Sequence, residues 1–260
     1  MAEINRIVIT CMDRRLSEEV ENTYNDGKTV FARNAGGLPG GLKNTIKRIL
    51  KENDTIKEIV MMPHTDCGAM GAVFKCLMQG EKFDQEILDG LVKYFENKPI
   101  LNREELEKTG NVNECMREMV DIKNSVPEYK NKTVKMSVEL VELHAPHYIA
   151  GEPKNVLVIM PASTVKYSET FGKFLDINHS YCIQGEIEDV IKDIKLATAH
   201  NGLNLQEIYI PRLKNGDDAK VEKIINELVK LGSGIGNLVV YKLLEDGTKE
   251  KVESKKKMKA

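Results

Sequence analysis

The chain has 260 residues, 41% of them hydrophobic and 30% charged, enough apolar material for a buried core, which excludes intrinsic disorder and fibrous architectures. Lys and Arg number 38 against 40 Asp and Glu, a formal charge of -2, so the bulk composition carries no electrostatic footprint for nucleic acid or a membrane surface. No stretch approaches the roughly 18 consecutive apolar residues of a membrane span.

Met1 to Arg6 holds no basic segment followed by an apolar run, so no secretory signal is read there and a cytoplasmic protein is the expectation. Ile7-Val8-Ile9-Thr10, Val30-Phe31-Ala32 and Ile59-Val60-Met61-Met62 are short β-branched or apolar runs that read as buried strands. Between the last two, Leu42, Ile46, Ile49 and Leu50 fall on one helical face, preceded by the glycine-rich Gly36 to Gly41. Strand, helix, strand in that order implies a parallel sheet. From about residue 75 to 132 the pattern is helical. Ile87, Leu88, Leu91, Val92 and Phe95 share a face, Asn102 with Glu105 forms a capping pair, and Cys115 packs with Met116, Met119 and Val120. Val134 to Leu143 alternates as a strand with one wet face. Gly151-Glu152-Pro153-Lys154 marks a boundary.

Beyond that boundary the pattern restarts. Leu157-Val158-Ile159-Met160 resembles the first strand, Val190 to Ile194 resembles Thr45 to Ile49, and Glu207 to Pro211 resembles Glu58 to Pro63, in the same order and at a nearly constant offset. A helix from about Asp217, closed by Gly232, and a strand at Leu238 to Tyr241 complete a second α/β unit. The expected organisation is therefore a unit over residues 1–150 with a helical insertion and a unit over residues 151–260. The second is either a degenerate repeat of the first or only another α/β segment.

The five cysteines, at 11, 67, 76, 115 and 182, are odd in number and scattered, which reads as free thiols or metal ligands, not as a disulfide framework. Cys11-Met12-Asp13-Arg14-Arg15 follows the first strand, and His64-Thr65-Asp66-Cys67-Gly68 follows the third. In a parallel sheet both emerge at the carboxyl edge, where ligand sites of open α/β folds lie. Two cysteines and a histidine, Cys11, His64 and Cys67, are the donors zinc prefers and leave a fourth position for water, as in a catalytic site. Arg15 beside Asp13 keeps that carboxylate ionised and able to orient a metal-bound oxygen. Two thiolates weaken the acidifying effect of the metal on water, so activity is expected to rise with pH.

Cys-x-Asp-x-Arg at residues 11–15, Arg33-Asn34-Ala35-Gly36, and His-Thr-Asp-Cys-Gly at residues 64–68, in this order, resemble the β-class carbonic anhydrases, closely over residues 5–75 and loosely over the first 150. The resemblance implies an α/β fold with a mostly parallel central sheet flanked by helices, and a Zn2+ cofactor bound by Cys11, His64 and Cys67. It also implies an Asp13–Arg15 dyad, with Asp13 as the other candidate for the fourth zinc position. The implied reaction is reversible hydration of carbon dioxide to bicarbonate by zinc hydroxide. Arg33, Asn34, Ala35, Gly36 and Gly68 would shape the substrate pocket, although Gly36 to Gly41 also reads as a plain strand-to-helix turn. The alternatives on the same ligand set are hydrolysis of carbonyl sulfide or carbon disulfide, and a catalytically silent zinc-binding structural or regulatory protein. A thiol redox enzyme fits worse, for want of Cys-x-x-Cys.

Arg14, often serine in the family, either adds positive charge near the metal or points to solvent. The second unit keeps no ligand set, with Pro161 opposite Cys11 and Pro211 to Lys214 opposite the His64 segment. The oligomer is accordingly a homodimer or an internal pseudo-dimer. His144 and His147 read as loop residues, His179 and His200 lack partners at informative spacing, and Cys76 and Cys182 read as packed or idle thiols.

Overall fold

The computed structural model describes residues 3–24, 26–82, 86–100, 102–144, 156–160, 174–175, 180–199, 207–212, 218–232 and 239–252. Its centre is one sheet. In chain order the strands are β1 (Arg6–Cys11), β2 (Thr29–Asn34), β3 (Glu58–Met62), β4 (Lys135–Val138), β5 (Val156–Met160), β6 (Ser180–Gln184), β7 (Glu207–Arg212), β8 (Val239–Leu244) and β9 (Lys249–Lys251). The spatial order is β4-β3-β1-β2-β6-β5-β7-β8-β9. β1 to β4 are mutually parallel, as are β5 to β8. The two sets meet through an antiparallel contact that pairs Arg33 of β2 with Gln184 of β6.

Each set has the same internal order. Its second strand lies beside its first on one flank, and its third and fourth follow on the other. The sheet therefore reads identically outward in both directions from the β2–β6 contact, up to the terminal strand β9, which turns back on β8.

The first strands are sealed: Ile7, Val8 and Ile9 of β1 and Ile59 of β3 are fully buried, as strands covered by helices on both faces must be. The helices are α1 (Ser17–Tyr24), α2 (Lys43–Glu52), α3 (Gly68–Gln79), α4 (Glu86–Phe95), α5 (Arg103–Glu105), α6 (Asn111–Asn124), α7 (Pro127–Lys130), α8 (Ile187–Ala199) and α9 (Asp218–Gly232). In α2 the apolar stripe buries Ile46, Ile49 and Leu50. Leu88, Leu91 and Phe95 of α4 are buried in the same core, as is Cys115 of α6.

Within the insertion, α5 begins as the capping pair implies, with the Asn102 side chain accepting from the Glu105 N–H at 2.9 Å. Between α5 and α6, Leu106–Gly110 widens into a π-turn. The alternating stretch after it forms a shorter strand than the pattern suggests: β4 ends at Val138, and only Val141 pairs again, in a single parallel bridge to His64. Among the described residues no helix is long and apolar enough to cross a membrane.

Candidate metal and active site

β2 and β3 lie on opposite flanks of β1, so the carboxyl edge between β1 and β3 is a switch point, where crossovers diverge and open a crevice. Both candidate segments emerge there. Cys11 is the last residue of β1, and Cys67 stands immediately before α3, where helix amides favour a thiolate.

The Sγ atoms of Cys11 and Cys67 and a ring nitrogen of His64 lie within 4.8 Å of one another, all three residues buried. Bonds of the lengths zinc makes to sulfur and nitrogen place such donors roughly 3.5–3.8 Å apart, so a small inward closure suffices. His64 Nδ1 sits 2.8 Å from the Thr65 carbonyl oxygen, which assigns the proton to Nδ1 and leaves Nε2 as a bare acceptor. That Nε2 is buried with no hydrogen-bond partner. An unpaired buried acceptor is costly, and a cation held by the two sulfurs would satisfy it. The donor set thus fits a zinc ion.

A hydrogen bond from Cys67 holds the Cys11 thiol well below the ordinary range against the opposing effect of burial, with His64 assisting. The same bond and burial push Cys67 well up. Burial disfavours His64 charge, yet the neighbouring Cys11 charge raises its pKa overall.

Asp13 caps the short turn Arg14–Leu16 and is clasped by Arg15. Its Oδ1 accepts from the Arg15 main-chain N–H and Nε, each at 3.0 Å, and its Oδ2 accepts from Nη2 at 2.8 Å. Arg15 also donates to Asp66, from Nη1 to Oδ2 and from Nη2 to the main-chain oxygen, both at 2.8 Å. Burial opposes the Arg15 charge, but Asp13 and Asp66 outweigh it and raise the pKa. Asp13 falls outside the close donor group.

Arg33 and Asn34 lie beneath the pocket, not on its wall. Arg33 is buried and ties down the first loop by donating to the carbonyls of Cys11 and Asp13 and to Ser17 Oγ at 3.0–3.1 Å. Asn34 Nδ2 donates to the Leu38 carbonyl. Gly36 adopts φ +80, a glycine conformation from which its N–H reaches Cys11 Sγ at 3.3 Å. Ala35 and Gly68 do line the pocket, with Cys11, Met12, Asp13, Leu88, Tyr181 and Leu196 among their neighbours. The cavity is small, about 40 Å³, room for a few water-sized molecules, and its wall is mostly apolar.

Several of these residues escape sequence reasoning. Tyr181 comes from β6 and Leu196 from α8, as does Asp193, which is buried and accepts from the Ala35 N–H at 2.9 Å. An acid on the apolar face of Val190, Ile194 and Ala197 was a signal available in the sequence. Arg103 and Glu107, which brace the His64–Cys67 loop, gave none beyond an ordinary i,i+4 pair.

Arg14 is buried, which excludes the outward-pointing alternative. His144 is exposed. His147, His179, His200, Pro161, Leu213 and Lys214 lie outside the described residues.

A Cys–His–Cys donor set at the switch point of a parallel α/β sheet, beside a clasped Asp–Arg pair, is a group that could hold a single thiolate-ligated metal. The family model for carbonic anhydrase matches residues 6–148, and the chain belongs to the β-class carbonic anhydrase family. Among solved structures, a carbonic anhydrase from Glaciozyma antarctica is 20% identical over 55% of this chain and 79% of that one, with a TM-score of 0.33. An apo form of a carbon disulfide hydrolase is 25% identical over 54% of this chain and 76% of that one, with a TM-score of 0.30. No curated protein matches the chain.

Proposed function

We propose that this chain hydrates carbon dioxide reversibly to bicarbonate, with Cys11, His64 and Cys67 holding a zinc ion and Asp13 and Arg15 serving the reacting centre. One observation carries the reading: the three buried donors converge beside a carboxylate held from both oxygens by one guanidinium. Bound zinc supplies the Lewis acidity that makes water nucleophilic near neutral pH.

This chain's residues do the rest. Asp13, pinned and ionised by Arg15, orients the attacking oxygen by accepting its proton in a hydrogen bond. Met12, Leu88, Leu196 and Tyr181 exclude bulk water and admit a small uncharged substrate. The proton released passes to solvent or buffer. The same apolar wall favours a second reading, hydrolysis of carbonyl sulfide or carbon disulfide, which are linear like carbon dioxide and carry no charge.

The unit over residues 151–260 acts, in this reading, as a built-in partner for the first. The shared strand order about the β2–β6 contact and the supply of Tyr181 and Leu196 to the pocket support it. Light scattering is then expected to give the mass of one chain, where a homodimer gives twice that.

The decisive experiment pairs zinc analysis with stopped-flow hydration assays across neutral and alkaline pH, on the native chain and on Asp13→Asn, with carbonyl sulfide and carbon disulfide assayed in parallel. The expected result is stoichiometric zinc in both, activity rising with pH in the native chain, and about 100-fold or more lost in the variant. A chain that stays metal-free in excess zinc, or an unimpaired Asp13→Asn, would overturn the proposal. Zinc without activity on any of the three substrates indicates a silent zinc-binding protein instead.

A further inference from the structure

We propose that Glu107 is a positioning residue for the metal-ligand loop, locked in that role by Arg103, so that the helical insertion governs how firmly the chain holds its metal. The inference rests on the metal-site reading above. Glu107 is 4% exposed and faces two consecutive peptide groups of the loop: Oε2 accepts from the Asp66 N–H at 2.9 Å and Oε1 from the Cys67 N–H at 3.0 Å. Arg103 Nε donates to Oε1 at 2.8 Å. The Arg103 Nη2 reaches Asp66 Oδ1 at 3.1 Å and the Cys67 carbonyl at 3.2 Å. One carboxylate and one guanidinium thus hold the N–H and C=O groups on either side of the ligand cysteine.

The loop requires such holding. Asp66 has φ 52, and among the described residues no other non-glycine has a positive φ. A residue in that region persists only where its surroundings over-determine it. Successive amides aimed at one anion form an anion-binding concavity, and here the anion is a side chain delivered from the insertion. It comes from the π-turn Leu106–Gly110, and single π-turns recur at functional sites. Burying a carboxylate beside two sulfurs raises the local negative charge, which Arg103 offsets.

The clamp also reaches the dyad. Arg15 Nη2 bonds the Asp66 carbonyl, so relaxation of Asp66 toward ordinary backbone shifts Cys67 and loosens the guanidinium that holds Asp13.

The carboxylate is specifically required, because both oxygens accept. In Glu107→Gln one oxygen becomes an NH2 group facing a peptide N–H, two donors opposed, although shape and volume are kept. If Glu107 only filled space, Gln would rescue it. The test loads the full-length native chain, Glu107→Gln, Glu107→Ala, Arg103→Gln and the exposed control Glu104→Gln with zinc, then follows zinc release to a chelator. Cobalt(II) substitution provides a thiolate-to-metal absorption band as a second readout.

Native chain and Glu104→Gln are expected to behave alike. Glu107→Gln and Glu107→Ala are expected to bind zinc about 10- to 100-fold more weakly, the usual cost of losing a residue that orients a ligand, with a shifted cobalt band. Arg103→Gln is expected to lose several-fold and decides the matter if the Glu107 variants do not fold. Native-like zinc retention and an unshifted cobalt band in the folded variants would overturn the clamp while leaving the metal site standing. A native chain that takes up no zinc would overturn the metal-site reading itself.

Discussion

Replacement of Asp189 by alanine tests whether the two units fold as one body. Asp189 sits in the first turn of α8 but caps a helix of the other unit. Its Oδ2 accepts from the Thr45 main-chain N–H at 2.6 Å and the Thr45 hydroxyl at 2.7 Å, and its Oδ1 from Asn44 Nδ2 at 2.8 Å. Thr45 lies in the first turn of α2, whose preceding residue, Leu42, offers no capping side chain, so Asp189 satisfies an amide that the helix leaves orphaned. It also places negative charge at the positive end of the helix dipole. Thr45 is fully buried and Asp189 nearly so. In Asp189→Ala two buried donors lose a charged acceptor, each worth about 1.5–3 kcal/mol, with up to about 1 kcal/mol from the dipole. The bonds share one acceptor oxygen and water enters part of the space, so the expected loss is about 3–4 kcal/mol. Asp189→Asn keeps one acceptor and is expected to lose about half of that. Urea unfolding followed by circular dichroism measures both. A typical domain has about 5–15 kcal/mol to lose, so the shift is large and easily resolved. An Asp189→Ala chain within about 0.5 kcal/mol of the native one would refute the reasoning.

Asp193 supplies a pH prediction for the metal-free chain. Burial pushes its carboxyl from an ordinary 3.8 up to about 8, with the Cys11 and Asp189 charges adding to the effect. The folded state then keeps a proton that the unfolded chain releases, so this group's contribution to stability falls as pH rises from the unfolded value toward about 8. Asp193→Asn removes that penalty while retaining an acceptor for the Ala35 N–H. It is expected to be more stable than the native chain at neutral pH by about 2–3 kcal/mol, below the roughly 4 kcal/mol that full retention of the proton from pH 3.8 to neutral pH would cost, and no more stable in acid. Equal stability of the two at neutral pH, by chemical unfolding, would count against the assignment. Leu196→Trp is expected to lower kcat/KM about tenfold or more by narrowing the pocket from the second unit, with zinc content unchanged. Unaltered kinetics would remove Leu196 from the pocket wall.

What was legible in the sequence is what depends on short stretches of chain. β1, β2 and β3 announce themselves as compact runs that stay buried whatever surrounds them, and α2 by a stripe that needs only one apolar neighbour. Cys11, His64 and Cys67 were legible because metal-ligand chemistry narrows residue type so sharply, and because the strand endings place both loops at one edge. β6 was not read, although it forms the junction between the units. Tyr181, Cys182 and Ile183 make too short a run to separate from a loop, and the burial of all five β6 residues comes from distant parts of the chain, β2 among them. Glu107 illustrates the same limit. On paper Arg103 and Glu107 are a solvated helix pair, and only docking of the insertion on the loop turns that pair inward.

The charge balance around the site explains why these additions belong together. Asp13, Asp66 and Glu107 bring three carboxyl groups into the surroundings of two sulfurs, and Arg15 and Arg103 meet them through seven side-chain hydrogen bonds, five to carboxylate oxygens and two to carbonyls. The two guanidinium groups thereby offset much of the carboxylate charge. The hydrogen bond between the two thiols lowers Cys11 and raises Cys67. Held by Cys11, Cys67 and His64, a divalent cation would favour ionisation of both sulfurs and would give the buried His64 Nε2 a partner. Arg15 and Arg103 thus serve the carboxylates that brace and orient the site, and in the proposed reading the sulfurs are left for a metal ion.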